Sequence, residues 1–200
     1  VSTKRDAILA RIRDANSGRT PTDHPGDFGG WRGDAGPATP LQAFVSGFEG
    51  VGGEVVFVDS EVKASQWLAD FAKPFTSVTI GEGVSSALRP DLPIALPRNA
   101  PLAISQARGA IAETGSLVMD ARDGRRTQLL TPTHVVVLSP ENIWETVRGA
   151  LLTLADDLPA AIGLHSGPSK SADIGQVMVK GVHGPGRILA LIIGCAPEKP

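Results

Sequence analysis

The sequence predicts an α/β domain: an open, mostly parallel sheet flanked by helices, with an irregular N-terminal arm. Three observations predict it. Short apolar runs of strand length alternate with segments of helical periodicity, the order a parallel sheet with crossovers requires. Helix starts are marked by Thr39-Pro40, by Ser60 and by Ser139-Pro140, where a capping side chain, or a cap followed by proline, accepts orphan N–H groups and presets φ. The 200 residues suit one domain with a sizeable core.

Taken in order, residues 1–39 read as an N-terminal helix and a flexible linker, and residues 40–200 as the body. Ser2 or Thr3 caps a first helix to about Asn16, with Ile8, Leu9 and Ile12 on one face, packed on its own domain or on a partner. Residues 17–39 are rich in Gly, Pro and Asp and read as an irregular connector pinned by Phe28 and Trp31. A helix from Pro40 turns Leu41, Phe44, Val45 and Phe48 inward and stops at Gly52-Gly53. Residues 54–58 read as a buried strand. The helix after Ser60 runs to about Ala72 with Val62, Leu68 and Phe71 inward, and 77–80 is a second strand.

The Pro-rich run 90–101 breaks regular structure. Residues 110–112 and 116–119 are apolar arms of a tight bend at Glu113-Thr114-Gly115, where glycine admits positive φ. A turn falls at Asp123-Gly124, and His134 opens a strand over 135–138. Ser139-Pro140 then predicts a helix carrying Ile143, Val147, Leu151 and Leu154 at helical spacing. Apolar runs at 161–164 and 188–193 flank the stretch 166–187, and a short helix is predicted from near Ser171 to a C-terminal cap at Gly181.

A net charge of −2 gives no basic footprint, so nucleic acid is not an expected partner. The single cysteine, Cys195, makes no internal disulfide, zinc knuckle or iron–sulfur cluster. No apolar run is long enough to span a bilayer and no secretory segment opens the chain, which predicts a cytoplasmic protein.

The stretch 166–187 concentrates the chemistry. Gly167-Pro168 and Gly184-Pro185 are rigid turns surrounded by Ser166, Ser169, Lys170, Asp173, His183 and Arg187. Backbone N–H groups after such a turn converge on an anion, and Lys170 adds charge. The P-loop pattern fails, because Ser169 and Leu164 stand where it needs glycine. Lys170, Asp173, His183 and Glu113 are the candidate catalytic groups, each also readable as a cap, a turn residue or a solvated charge. Thr114, Gly115, Arg126, His134, Ser166, Gly167, Ser169, Gly184 and Arg187 are the candidate ligand-binding residues. The histidines lack the short spacing of metal ligands, so no metal is assigned. Gly81-Glu-Gly83-Val-Ser-Ser86 has the first two glycines of a dinucleotide fingerprint but Ser86 at the third, and reads as an ordinary strand-to-helix turn.

Four segments in this order and spacing resemble the LUD-domain family: AIAETGSLVM at 110–119, the run from Arg125-Arg126 to Pro132 with HVVVL at 134–138, GPSKSADI at 167–174 and GVHGP at 181–185. The resemblance covers roughly residues 40–195. Ser171 stands where the family commonly has Thr, and Gly175 where it has a larger residue. The resemblance implies a fold like that of the NagB/RpiA/CoA-transferase superfamily. It also implies a lactate-utilization role, the oxidation of L-lactate to pyruvate with iron–sulfur partner subunits. This chain, with one cysteine, would then be a non-redox subunit whose small anionic ligand, such as lactate, meets Lys170 or the arginines, and whose cofactor is unknown. The alternative is a stand-alone transferase or ligase-like enzyme acting on a phosphorylated, acyl or nucleotide anion.

Overall fold

The computed structural model describes residues 3–18, 38–172 and 178–195. The chain divides into compact units at 1–35 and 36–200. In the first, α1 (Lys4–Asn16) starts at Thr3 with a reciprocal capping box to Asp6. It buries no residue, and Ile8 and Ile12 lie exposed. The segment carrying Phe28 and Trp31 lies outside the described residues.

Among the described residues, the second unit contains two larger sheets and a two-stranded one, Lys170–Ala172 with Met178–Lys180. Strands β1 (Glu54–Val58), β2 (Val78–Ile80) and β3 (Leu102–Gln106) belong to the first. A hairpin of β4 (Gly109–Ile111) and β5 (Ser116–Asp120) follows, then α4 (Arg125–Leu130) and β6 (Thr133–Leu138). Beyond these come β7 (Ile143–Trp144), α5 (Val147–Thr153), β8 (Ile162–His165), β9 (Lys170–Ala172), β10 (Met178–Lys180) and β11 (Arg187–Ile193). The main sheet is parallel throughout, in the order β1-β11-β6-β3-β2, as the sequence predicts. The second sheet, β7-β4-β5-β8, is mixed and was not anticipated.

Helices α2 (Pro40–Gly50) and α3 (Glu61–Ala72) form where the caps predict them: Thr39 accepts from Gln42 N and Ser60 from Lys63 N. Ala64, Leu68 and Ala72 of α3 cover one face of the main sheet, against Leu102, Ile104, Val135, Val137, Leu189 and Leu191. The opposite face meets Phe44 and Phe48 of α2 and the inner side of the second sheet, through Ala110, Leu117 and Met119. α5 packs on the outer side of that sheet through Ala150, with Leu154 just beyond its end. The main sheet is therefore covered on both faces, which is why β6 and β11 read as unbroken apolar runs.

Four expectations are corrected. β1 is half-buried, because it is an edge strand rather than a central one. Val62 is 67% exposed, since α3 presents its Ala64, Leu68 and Ala72 stripe inward. The helix predicted from Pro140 is a single 3-10 turn, Pro140–Asn142, and Ser139 makes no side-chain cap bond. Ile143 and Trp144 pair with Ala110 and Ile111, and the helix begins only at Val147, capped by Thr146. A β-branched and an aromatic residue suit that edge better than a helix turn. Finally, the helix predicted from Ser171 is a strand: Lys170, Ser171 and Ala172 pair antiparallel with Lys180, Val179 and Met178. Gly181, at φ +79, follows a strand rather than closing a helix.

Candidate functional site

The two Gly-Pro turns meet. Ser169 N donates to Pro185 O at 2.8 Å, His183 N donates to Ser169 Oγ at 3.3 Å, and Gly181 N donates to Ser169 O at 3.0 Å. Both turns stand at the amino ends of the main strands, because Gly184-Pro185 feeds β11 and Gly167 lies against Val51 and Gly53 at the entry to β1. Gly167 has φ +120, and a Cβ there would lie 2.8 Å from Val51 Cγ2. Lys170 reaches back to donate from Nζ to Val51 O.

The bend at 113–115 reaches the same corner. Gly115 (φ +57) abuts Gly47 of α2. Ser116 Oγ joins Thr114 Oγ1 at 2.7 Å and Ser166 Oγ at 2.6 Å, a chain of three hydroxyls linking the bend to the first Gly-Pro turn. Thr114, Ser166, Lys170 and His183 are exposed there. Thr114, Gly115, Ser166, Gly167, Ser169, Lys170, His183 and Gly184 thus share one polar corner built on the α2–β1 junction.

Other predicted residues are committed elsewhere. Glu113 Oε2 accepts from Val147 N at 3.0 Å and so caps α5. Arg187 makes a two-pronged pair with Glu54, 2.7 Å in each arm, and stacks over the Phe71 ring. That pair lowers the Glu54 pKa and raises that of Arg187. Both partners are nearly half exposed, so Arg187→Ala should cost only about 0.2–1 kcal/mol in urea unfolding. Arg126 is exposed on α4. Asp173 lies outside the described residues.

His134 is sealed between the sheets at 0% exposure and does not join the corner. Its Nε2 lies 2.9 Å from Ser105 Oγ, and Nδ1 has no hydrogen-bond partner among the described residues. The nearby carboxylate of Asp123 accepts from Gly83 N at 3.0 Å and Gln106 N at 3.3 Å. Burial, with a smaller contribution from nearby His165, pushes the His134 pKa down to about 3, while burial pushes that of Asp123 up against its hydrogen bonds. The sequence singled out neither Ser105 nor Asp123 as a site residue. Asp123-Gly124 read only as a turn, and no local spacing ties it to Gly83 or Ser105. Burial also raises the Cys195 thiol pKa, the opposite of an activated nucleophile.

At the other end of the main sheet, past the carboxyl ends of its strands, lies a crevice of about 340 Å³. Glu61, Gly83, Ser85, Leu88, Gln106 and Ser139 are among the residues that line it. Among the described residues there is no group of three or more His, Cys, Asp or Glu placed to hold a metal, and no helix long and apolar enough to cross a membrane.

The LUD-domain family model matches residues 98–193, a little under half of the chain, which takes in β3 to β11. The chain is similar to lactate utilization proteins C. The one from Deinococcus radiodurans is 38% identical over 90 residues, 42% of this chain and 42% of that protein. The one from Exiguobacterium sp. is 30% identical over 149 residues, 70% of this chain and 62% of that protein. The chain thus spans less than two thirds of the length of these relatives. A crystal structure of a DUF162 family protein from Deinococcus radiodurans superposes with a TM-score of 0.61 at 20% identity, over 78% of this chain and 96% of the other. That likeness speaks for the fold.

Proposed function

We propose that this chain is a cytoplasmic, non-redox subunit of a lactate-utilization system, acting in the oxidation of L-lactate to pyruvate beside partner proteins that carry iron–sulfur clusters. The observation that carries the reading is the agreement between the LUD-domain match and the similarity to lactate utilization proteins C. Oxidation of lactate removes two electrons, and the one cysteine in this sequence falls short of the usual cysteine set of a cluster. The electrons then pass to the partners, and this subunit's part is to bind and present.

The amino-end corner is the proposed seat of the carboxylate. After its bond to Val51 O, the Lys170 ammonium keeps two N–H donors, and Thr114, Ser166 and Ser169 offer hydroxyls in the same corner. Charge-assisted bonds to a carboxylate contribute about 1.5–3 kcal/mol each. His183 stands exposed at the rim, with its backbone N–H bound to Ser169 Oγ. Lys170→Ala and His183→Ala are expected to fold with a near-native melting temperature yet fail to support growth on L-lactate; loss of folding would make them structural instead. The reading as a whole is tested by deleting the gene in a strain without a paralogue. Growth on L-lactate should stop while growth on pyruvate continues, and affinity purification should bring down cluster-bearing proteins. Undiminished growth on L-lactate would sink the proposal.

A further inference from the structure

We propose that the crevice past the carboxyl ends of the main sheet is a second binding site, built for an uncharged, hydroxyl-bearing heterocycle of nucleoside size. Open parallel sheets bind ligands outside the carboxyl ends of their strands, and ligand pockets commonly run from about 300 to 1,000 Å³. At about 340 Å³ the crevice suits a small member of that range. Segments following each of the five main strands contribute to it: Glu61 after β1, Gly83 and Ser85 after β2, Gln106 ending β3, Leu138 and Ser139 at the end of β6, and Ile193 ending β11.

The lining selects the chemistry. Its aliphatic wall, Leu88, Val137, Leu138 and Ile193, suits a flat ring face. Gln106 Nε2 donates to Val137 O at 3.2 Å and Ala107 O at 3.4 Å, which leaves its amide oxygen to accept. Ser85 Oγ accepts from Ala87 N and keeps its own proton to donate, while Ser139 makes no cap bond. Glu61 adds a carboxylate at the rim, and the lining contains no lysine or arginine. Acceptors with a negative rim repel carboxylates and phosphates and receive hydroxyl donors; a vicinal diol matches the two oxygens of one carboxylate.

The wall is held in shape before any ligand arrives. The buried Asp123 carboxylate accepts from Gly83 N and Gln106 N together, pinning the loop after β2 to the end of β3. A Cβ at Gly81 would overlap that carboxylate, so glycine is what lets it close under the loop. This fixed geometry lowers the ordering cost of binding.

The test is a titration of protein labelled at its Ile, Leu and Val methyl groups with adenosine, with L-lactate as a second arm. Adenosine should give saturable shifts confined to Leu88, Val137, Leu138 and Ile193, at a dissociation constant below ~1 mM. Ser139→Phe, which fills the crevice, should abolish them, and Glu61→Leu should weaken them roughly tenfold, about 1.4 kcal/mol. Should Ser139→Phe disturb the methyl spectrum at large, Glu61→Leu on the exposed helix start decides. The proposal is overturned by an absence of saturable shifts, by shifts that survive both substitutions, or by L-lactate moving the same methyls more strongly. None of these outcomes bears on the lactate-growth phenotype, so the two proposals fail separately.

Discussion

Gly115→Val is expected to lower the free energy of unfolding by about 3 kcal/mol or more, with an unchanged urea m-value. Gly115 sits at φ +57, where a β-branched residue is strained. The larger part of the cost is contact. A Cβ there would lie 2.6 Å from both the Gly47 carbonyl carbon and the Phe48 nitrogen, and backbone cannot swing aside as a side chain can. The approach is mutual, since a Cβ on Gly47 would lie 3.1 Å from Gly115 Cα. Relief therefore requires α2 to lift from the hairpin, drawing the stacked and fully buried Phe44 and Phe48 with it. Each such side chain contributes about 1.5–3 kcal/mol by its burial. Gly50→Ala is the control: its Cβ would meet nothing within 4 Å, and its effect should stay within about 0.5 kcal/mol. A cost below ~1 kcal/mol for Gly115→Val would mean that helix and hairpin do not meet as described.

Acidification from pH 7 to pH 5 is expected to remove roughly 2 kcal/mol of stability through His134. Its folded pKa of about 3 lies well below the unfolded value of 6.5. Below 6.5 the unfolded chain takes up a proton that the folded chain refuses. The stabilisation is thus complete above 6.5 and is lost progressively as pH falls toward 3, by up to about 1.4 kcal/mol per pH unit. His165, whose pKa burial also lowers, adds to the same trend. Asp123 has the opposite sign: with its folded pKa raised, its contribution is greatest below the unfolded pKa and falls away as pH rises through the folded one. The His134→Gln variant separates these, because the amide can still hydrogen-bond Ser105, as donor or acceptor, and does not titrate. Urea unfolding at both pH values should give a clearly shallower pH dependence for His134→Gln. Identical slopes in the two proteins would show that His134 is not buried and neutral.

Local signals were reliable where local physics decides. Thr39-Pro40 and Ser60 started α2 and α3 because a cap and its N–H acceptors lie within one turn. Gly115 marked a true hairpin bend, and the two Gly-Pro turns meet through Ser169 N and Pro185 O. The same signals misled at Ser139-Pro140 and at Ser171. Ile143, Val147, Leu151 and Leu154 have helical spacing, but β4 offers an open edge that captures Ile143 and Trp144 first. Lys170, Ser171 and Ala172 gain ladder bonds from β10 that a helix start there would forgo. Of the proposed site, the meeting of the two turns and the 113–115 bend was legible. The diversion of Glu113 to Val147 N and of Arg187 to Glu54 was not, since each partner is remote along the chain.

The order of apolar runs and caps determined by itself that this chain builds a parallel α/β sheet, and the ordered set of four segments pointed to the family whose model matches residues 98–193. Tertiary structure alone decided that a second sheet covers one face, that His134 is buried rather than displayed, and that Asp123 clasps the loop after β2. The reason is physical. Caps and turns are contests between neighbouring groups, while burial and carboxylate pairing are settled by which distant surfaces come together, and periodicity carries no record of that.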